Sequence, residues 1–278
     1  MPNISAEAKQ GYRAIRHSKA IDTLTRIGFL SKGIVYLLLG TLAVMAAMHS
    51  GGQTTDQNGV IEFIAGQPFG MFALVIIAAG LLAYSLWRYT CALSDVEGEG
   101  SDAKGLGKRA GYFLSGLAHT GIALSAIRIV IGNSEGQRGD AAQTWTARLM
   151  EFPGGSLLIG AIGVGVIAAG VMQFRKGLQE RFKEDLQMSQ MNASEQEMAT
   201  EGGTWGHCAR GVVFGLIGLF LVFAAWQTDP NQVQGLEGVL DKVAAQPFGR
   251  GMLALLAAGL GCYGVYCMVE AKYRRIRH

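Results

Sequence analysis

Six stretches of this chain carry no Asp, Glu, Lys or Arg over 16 or more residues: 33–48, 69–87, 110–127, 152–174, 211–228 and 251–269. With its flanks, each reaches the roughly 20 residues needed to cross about 30 Å of hydrocarbon at 1.5 Å per helical residue. An isolated strand would leave backbone groups unpaired in lipid, so these segments are expected to be helices. The core helices of a soluble protein would show a polar stripe every 3.6 residues, and these segments show none. The fold class that follows is an all-α integral membrane protein with six transmembrane helices. Glycine supplies 40 residues, about twice the usual fraction of roughly 7%. Much of that excess lies inside the spans, where small residues let helix backbones approach.

Charge sets the expected orientation. Of the 24 Lys and Arg residues, only Arg138, Arg148, Lys242 and Arg250 lie on the side away from the termini, and Arg128 lies within the third span. The others, Lys32, Arg88 and Arg210 among them, are counted as flanking charges on the side of both termini. Both termini are therefore expected in the cytoplasm. The net charge of +3 is then a topological bias, and no nucleic-acid partner is implied. Residues 1–27 carry charges throughout and no apolar h-region, so the first span is expected to act as its own signal anchor. Lys9, Arg13, Arg16 and Lys19 recur at helical spacing in this arm. They suit either an anionic inner leaflet or a solvated basic helix.

The chain repeats itself three times. The odd spans open on Gly28-x4-Gly33, Gly111-x4-Gly116 and Gly206-x4-Gly211, with a ring three residues later at Tyr36, His119 and Phe214. The even spans open on Pro68-Phe-Gly70, Pro153-Gly-Gly155 and Pro247-Phe-Gly249, with Gly80, Gly165 and Gly259 twelve residues after each proline. Tyr84, Ala169 and Tyr263 are then equivalent. The organisation read from this register is a basic arm (1–25), a first unit (26–93), a linker (94–107), a second unit (108–176), a linker (177–203) and a third unit with a basic tail (204–278). An even number of spans per unit makes the repeats parallel, and a pseudo-threefold axis along the membrane normal is the natural arrangement.

Between the spans of each unit, apolar residues precede the proline at helical offsets: Val60, Ile61 and Ile64; Trp145 and Leu149; Val239, Leu240 and Val243. A short amphipathic helix on the outer interface fits each set. The proline is expected at the first helical position of the next span, where its missing N–H needs no partner.

The repeated pair of spans, with Gly-x4-Gly, Pro-x-Gly and the later glycine, resembles the bacterial family called domain of unknown function 1206 over residues 26–276. The resemblance implies three parallel two-span units in a bacterial inner membrane and brings no catalytic residues to transfer. The second unit departs from its siblings, having Ala169 where they have tyrosine and His119 where they have Tyr36 and Phe214.

Among individual residues, His119 stands deep in a span, with Thr120 beside it. It reads as a relay or ligand contact facing the axis, or more simply as an imidazole bonded to a carbonyl of an adjacent helix. Arg128, near the outer end of its span, reads as snorkelling toward phosphate, with a gating role as the alternative. Glu62 and Asp241 would keep the outer helices wet on one face, or lend a vestibule negative charge. The four cysteines Cys91, Cys208, Cys262 and Cys267 form no CxxC pair and have no ligand-spaced acid or histidine, so no metal or cofactor is expected. No Ser, His and Asp constellation or carboxylate pair points to an enzyme. Two classes of function remain. One is passage or binding of a small solute or ion at the repeat axis, lined by Tyr36, His119, Phe214, Tyr84 and Tyr263. The other is a structural, lipid-binding or partner-binding component. Lipid is the partner expected in either case, and the oligomeric state and any protein partner stay open.

Overall fold

The structure, a computed structural model, describes residues 19–133 and 141–275. The basic arm up to residue 18 and Arg138 lie outside the described residues. Nine α-helices are present among the described residues. The spans are α1 (Lys19–Ala47), α3 (Gly70–Ser94), α4 (Ala103–Val130), α6 (Gly155–Leu178), α7 (Ala193–Gln227) and α9 (Gly249–Tyr273). All six are long and apolar enough to cross a membrane. The outer helices are α2 (Gln57–Ala65), α5 (Ala141–Met150) and α8 (Leu236–Ala244).

Packing follows the repeats, with one exception. The most extensive contacts join different units: α6 with α7, α9 with α1, and α3 with α4. Within units, α7 packs on α9 and α1 on α3, whereas α4 and α6 of the second unit are not packed along each other. The neighbours run α4, α3, α1, α9, α7, α6, so the ring that a threefold axis would require is open at one seam. Accordingly α4 and α6 bury the smallest shares of their apolar windows, 28% and 17%, against 61% for α1.

The cause can be read from the helix contacts. A methyl added at Gly28 would lie 2.7 Å from the backbone N of Tyr84, and one at Gly206 would lie 2.5 Å from the Cα of Tyr263. These close approaches lock α1 to α3 and α7 to α9. On the facing side, Gly80 rests on Ser31 and Gly259 on Ala209. In the second unit Leu114 stands where the others have Ser31 and Ala209, and its side chain is exposed. A methyl at Gly111 or Gly165 would meet nothing within 4 Å. The motif glycines are present in all three units, but the second lacks the small partner that lets two backbones meet.

The outer helices form, with one correction to the expectation. Their apolar faces turn onto the spans: Val60, Ile61 and Ile64 are buried, as are Val239, Leu240 and Val243. In the open second unit the equivalent Trp145 is 62% exposed. The correction concerns the prolines, which do not start the spans; these begin two residues later at Gly70, Gly155 and Gly249. The residue between proline and glycine is left-handed in every unit: Phe69 at φ 60°, Gly154 at φ 82° and Phe248 at φ 61°. That turn aims Phe69 and Phe248 outward as exposed rings, suited to the membrane interface.

The segment 177–203 is more than a tether. A 3-10 helix, Arg181–Asp185, inserts Phe182 beneath the bundle, fully buried and stacked on the His207 ring at 5.3 Å. Asn192 and Glu195 then form a reciprocal capping box that starts α7 inside this segment. The backbone N–H of Gln187 donates to the Tyr273 carbonyl at 2.8 Å, and that of Arg275 to the Asp185 carbonyl at 2.7 Å. The end of the bundle at which α1 begins and α9 finishes is thereby sealed.

Candidate functional site

The odd spans carry Lys32, Ser115 and Arg210 four residues after their first glycines, one helical turn before Tyr36, His119 and Phe214. In the even spans, Arg88 follows Tyr84 by the same turn. Residues four apart share a helix face. The folded bundle brings these faces together. Lys32 Nζ donates to the Tyr263 hydroxyl at 2.9 Å and to the Tyr84 hydroxyl at 3.1 Å, and Arg88 Nε donates to Tyr84 at 2.7 Å. The Arg210 guanidinium lies 4.2 Å from the Tyr263 ring centroid and 5.0 Å from that of Phe214. Tyr36 meets Tyr263 edge to face at 5.0 Å, and the His119 ring lies 4.6 Å from that of Tyr84.

All five positions expected at the axis therefore belong to one cluster. It is packed: Tyr36, Tyr84, His119 and Tyr263 are buried, and Phe214 is half-buried. The His119 Nδ1 lies 2.8 Å from the Ser115 carbonyl, one turn back on its own helix, so the expected bond to an adjacent helix is not the one made. Thr120 bonds to the Tyr89 hydroxyl at 3.0 Å.

Lys32, Arg88 and Arg210 correct the charge reading, which counts them as flanking cations. They lie inside the bundle because each guanidinium or ammonium sits over aromatic faces and, for Lys32 and Arg88, against tyrosine hydroxyls. Lys32 is only 2% exposed, whereas Arg88 and Arg210 are half-buried. Among the described residues no carboxylate forms an ion pair with any of the three. The nearby acids are committed elsewhere: Arg274 bonds to Glu97 at 2.8 Å and also to Glu270. Burial opposes the charge on Arg274, and Glu270 and Glu97 more than offset it, raising its pKa well above the ordinary value. Repeat register was the sequence signal for Lys32 and Arg210, since they share one motif position.

This arrangement offers donors and few acceptors. The Tyr84 oxygen accepts from two cations, which leaves its own proton to donate. Lys32 uses two of its three N–H groups on tyrosines, and the Arg210 Nε is buried with no hydrogen-bond partner. Cations with spare donors and no ion-paired carboxylate have the chemistry to hold an anion.

The other expected positions lie apart from this cluster. Arg128 is exposed in the last turn of α4, and Glu62 and Asp241 are exposed on α2 and α8. Thr54 donates to Asp241, joining the first and third units at the outer end. The cysteines are free thiols, with Cys91 and Cys267 buried.

Six apolar spans in three two-helix units around a buried cationic and aromatic centre define a multi-pass membrane protein built by triplication. The family model for the Domain of Unknown Function DUF1206 matches three times, over residues 27–95, 110–180 and 205–274, and the chain belongs to that family. It is similar to the Uncharacterized protein YxxB of Bacillus subtilis (strain 168), with 36% identity over 256 residues, covering 92% of each chain. No solved structure matches.

Proposed function

We propose that this protein binds a small anionic solute or ion within the membrane, at the centre of its three repeats. The observation that carries this reading is the set of three inward-turned cations, Lys32 buried and Arg88 and Arg210 half-buried, with no ion-paired carboxylate among the described residues. Charges are costly to hold in a bilayer, and an anion recovers part of that cost. The centre lies about 9 Å from the end of α3, six residues beyond Arg88 at 1.5 Å per residue. The surplus of Lys and Arg on the terminal side supports placing that end at the cytoplasmic face of a bacterial inner membrane. The site is a binding centre and not an open pore, since its rings pack against one another; passage would require them to part.

The test uses the full chain in detergent with chloride, inorganic phosphate, acetate and glycerol phosphate as probes. At least one should raise the unfolding temperature of the wild type, as ligand binding to the folded state requires, and the shift should vanish in Arg210→Gln. No shift with any probe, or one that survives both Arg210→Gln and Lys32→Gln, would overturn the proposal. The second reading, a passive packing component, is favoured by the burial of Tyr36, Tyr84 and Tyr263. Under it, Lys32 only stitches helices together and no probe has an effect.

A further inference from the structure

Resting on the anion-binding reading, the open seam of the second unit points to which anion is bound. Two units contribute a cation and a tyrosine to the centre: Lys32 with Tyr84, and Arg210 with Tyr263. At the same two positions the second unit contributes Ser115 and Ala169. A charge and a phenol ring are thus missing from the side on which α4 and α6 stand apart. One wall of the seam reaches the cluster directly. The His119 ring of α4 touches that of Tyr84, and the Tyr112 ring of α4 lies 5.2 Å from the Arg88 guanidinium. The walls themselves are apolar, with Leu114 and Leu117 exposed on α4 and Leu158 and Val164 on α6.

An opening between two spans faces hydrocarbon, and what diffuses there carries alkyl chains. The charge at its inner end is positive and the flanks are aliphatic. A free inorganic anion needs the cations and has no use for the aliphatic walls. We infer that the second-unit seam is a lateral entrance for a phospholipid-type anion, whose phosphate reaches the Lys32, Arg88 and Arg210 cluster while its chains lie between α4 and α6.

Gly111 and Gly165 allow a test, because a Cβ added at either meets nothing within 4 Å and a larger side chain there starts in open space on the seam helices. Native mass spectrometry of the full chain, titrated with phosphatidylglycerol and with phosphatidylcholine, reads lipid adducts directly. Glycerol phosphate, the headgroup without chains, is followed in parallel by the unfolding temperature. The wild type should hold phosphatidylglycerol about tenfold more strongly than phosphatidylcholine, the size of one charge-assisted hydrogen bond. Arg210→Gln should abolish that preference. Gly165→Trp should cut lipid adducts several-fold, on the order of one lost apolar contact face, and leave the glycerol phosphate shift unchanged. If glycerol phosphate binds but the lipid preference is missing, or is unaltered by Gly165→Trp and Gly111→Trp, the lateral entrance is wrong and the anion site stands. If neither headgroup nor lipid has an effect, the lateral entrance falls, and the anion site falls with it when chloride, inorganic phosphate and acetate are also without effect.

Discussion

The Nζ of Lys32 donates to the hydroxyl of Tyr263 at 2.9 Å, a bond between the first span of the first unit and the last span of the third. Residues 231 positions apart are thereby joined at the centre of the bundle. The same ammonium reaches Tyr84, so two of the three repeats are tied through one side chain.

This geometry ranks two conservative substitutions. Tyr263→Phe removes one acceptor from Lys32 and should cost about 1.5–3 kcal/mol, the usual range for a hydrogen bond to a charged group. Tyr84→Phe removes the acceptor of both Lys32 and Arg88 and should cost more. Unfolding in detergent under identical conditions checks the order, and equal costs would show that the bond from Arg88 contributes nothing.

The motif glycines should respond differently by unit. Gly28→Ala and Gly206→Ala force a methyl into the backbone of the facing helix, at 2.7 Å and 2.5 Å, and should destabilise by more than about 2 kcal/mol, as overpacking does. Gly111→Ala meets open space and should be neutral, or stabilising by up to about 1 kcal/mol through helix propensity. Yield and unfolding temperature of the three variants measure this; a loss at Gly111 equal to that at Gly28 would show the seam to be closed.

At the sealed end, Arg274→Gln removes the cation bonded to Glu97 and Glu270 in a buried site and should cost about 3–5 kcal/mol, as breaking buried pairs does. Replacing both acids as well, in the triple variant with Glu97→Gln and Glu270→Gln, should recover most of that loss. Failure of the triple variant to recover would mean that the guanidinium matters mainly through its contact with the Phe29 ring, 4.9 Å away.

Phe182 is the plug of the same end, stacked on His207 and edge-on to Tyr266 at 5.4 Å. Phe182→Ala should cost about 3–5 kcal/mol, as truncating a buried ring does. It should also speed hydrogen exchange in 181–190, because that segment has few other buried anchors. Exchange mass spectrometry reads both.

The six spans, the three units and the outer helices were legible in the sequence because lipid imposes one simple demand. A span needs about 20 apolar residues whose backbone groups bond within the helix, and length with charge distribution suffices to find it. Repetition then aligned Tyr36 with His119 and Phe214, and Tyr84 with Tyr263, which the bundle does assemble. Lys32, Arg88 and Arg210 were misread because a cation at the end of an apolar run has the same appearance in sequence whether it points to water or to an aromatic centre. Helix rotation, set by which glycine meets which neighbour, decides between them.

By itself the sequence determined how many helices cross the membrane and that three units are related, since both follow from local composition and register. Only the tertiary structure decided that the cations turn inward and that the second unit stands open. Those outcomes depend on pairs such as Gly28 with Tyr84 and on the missing counterpart at Leu114, where the volume of one side chain sets how near two helices can come.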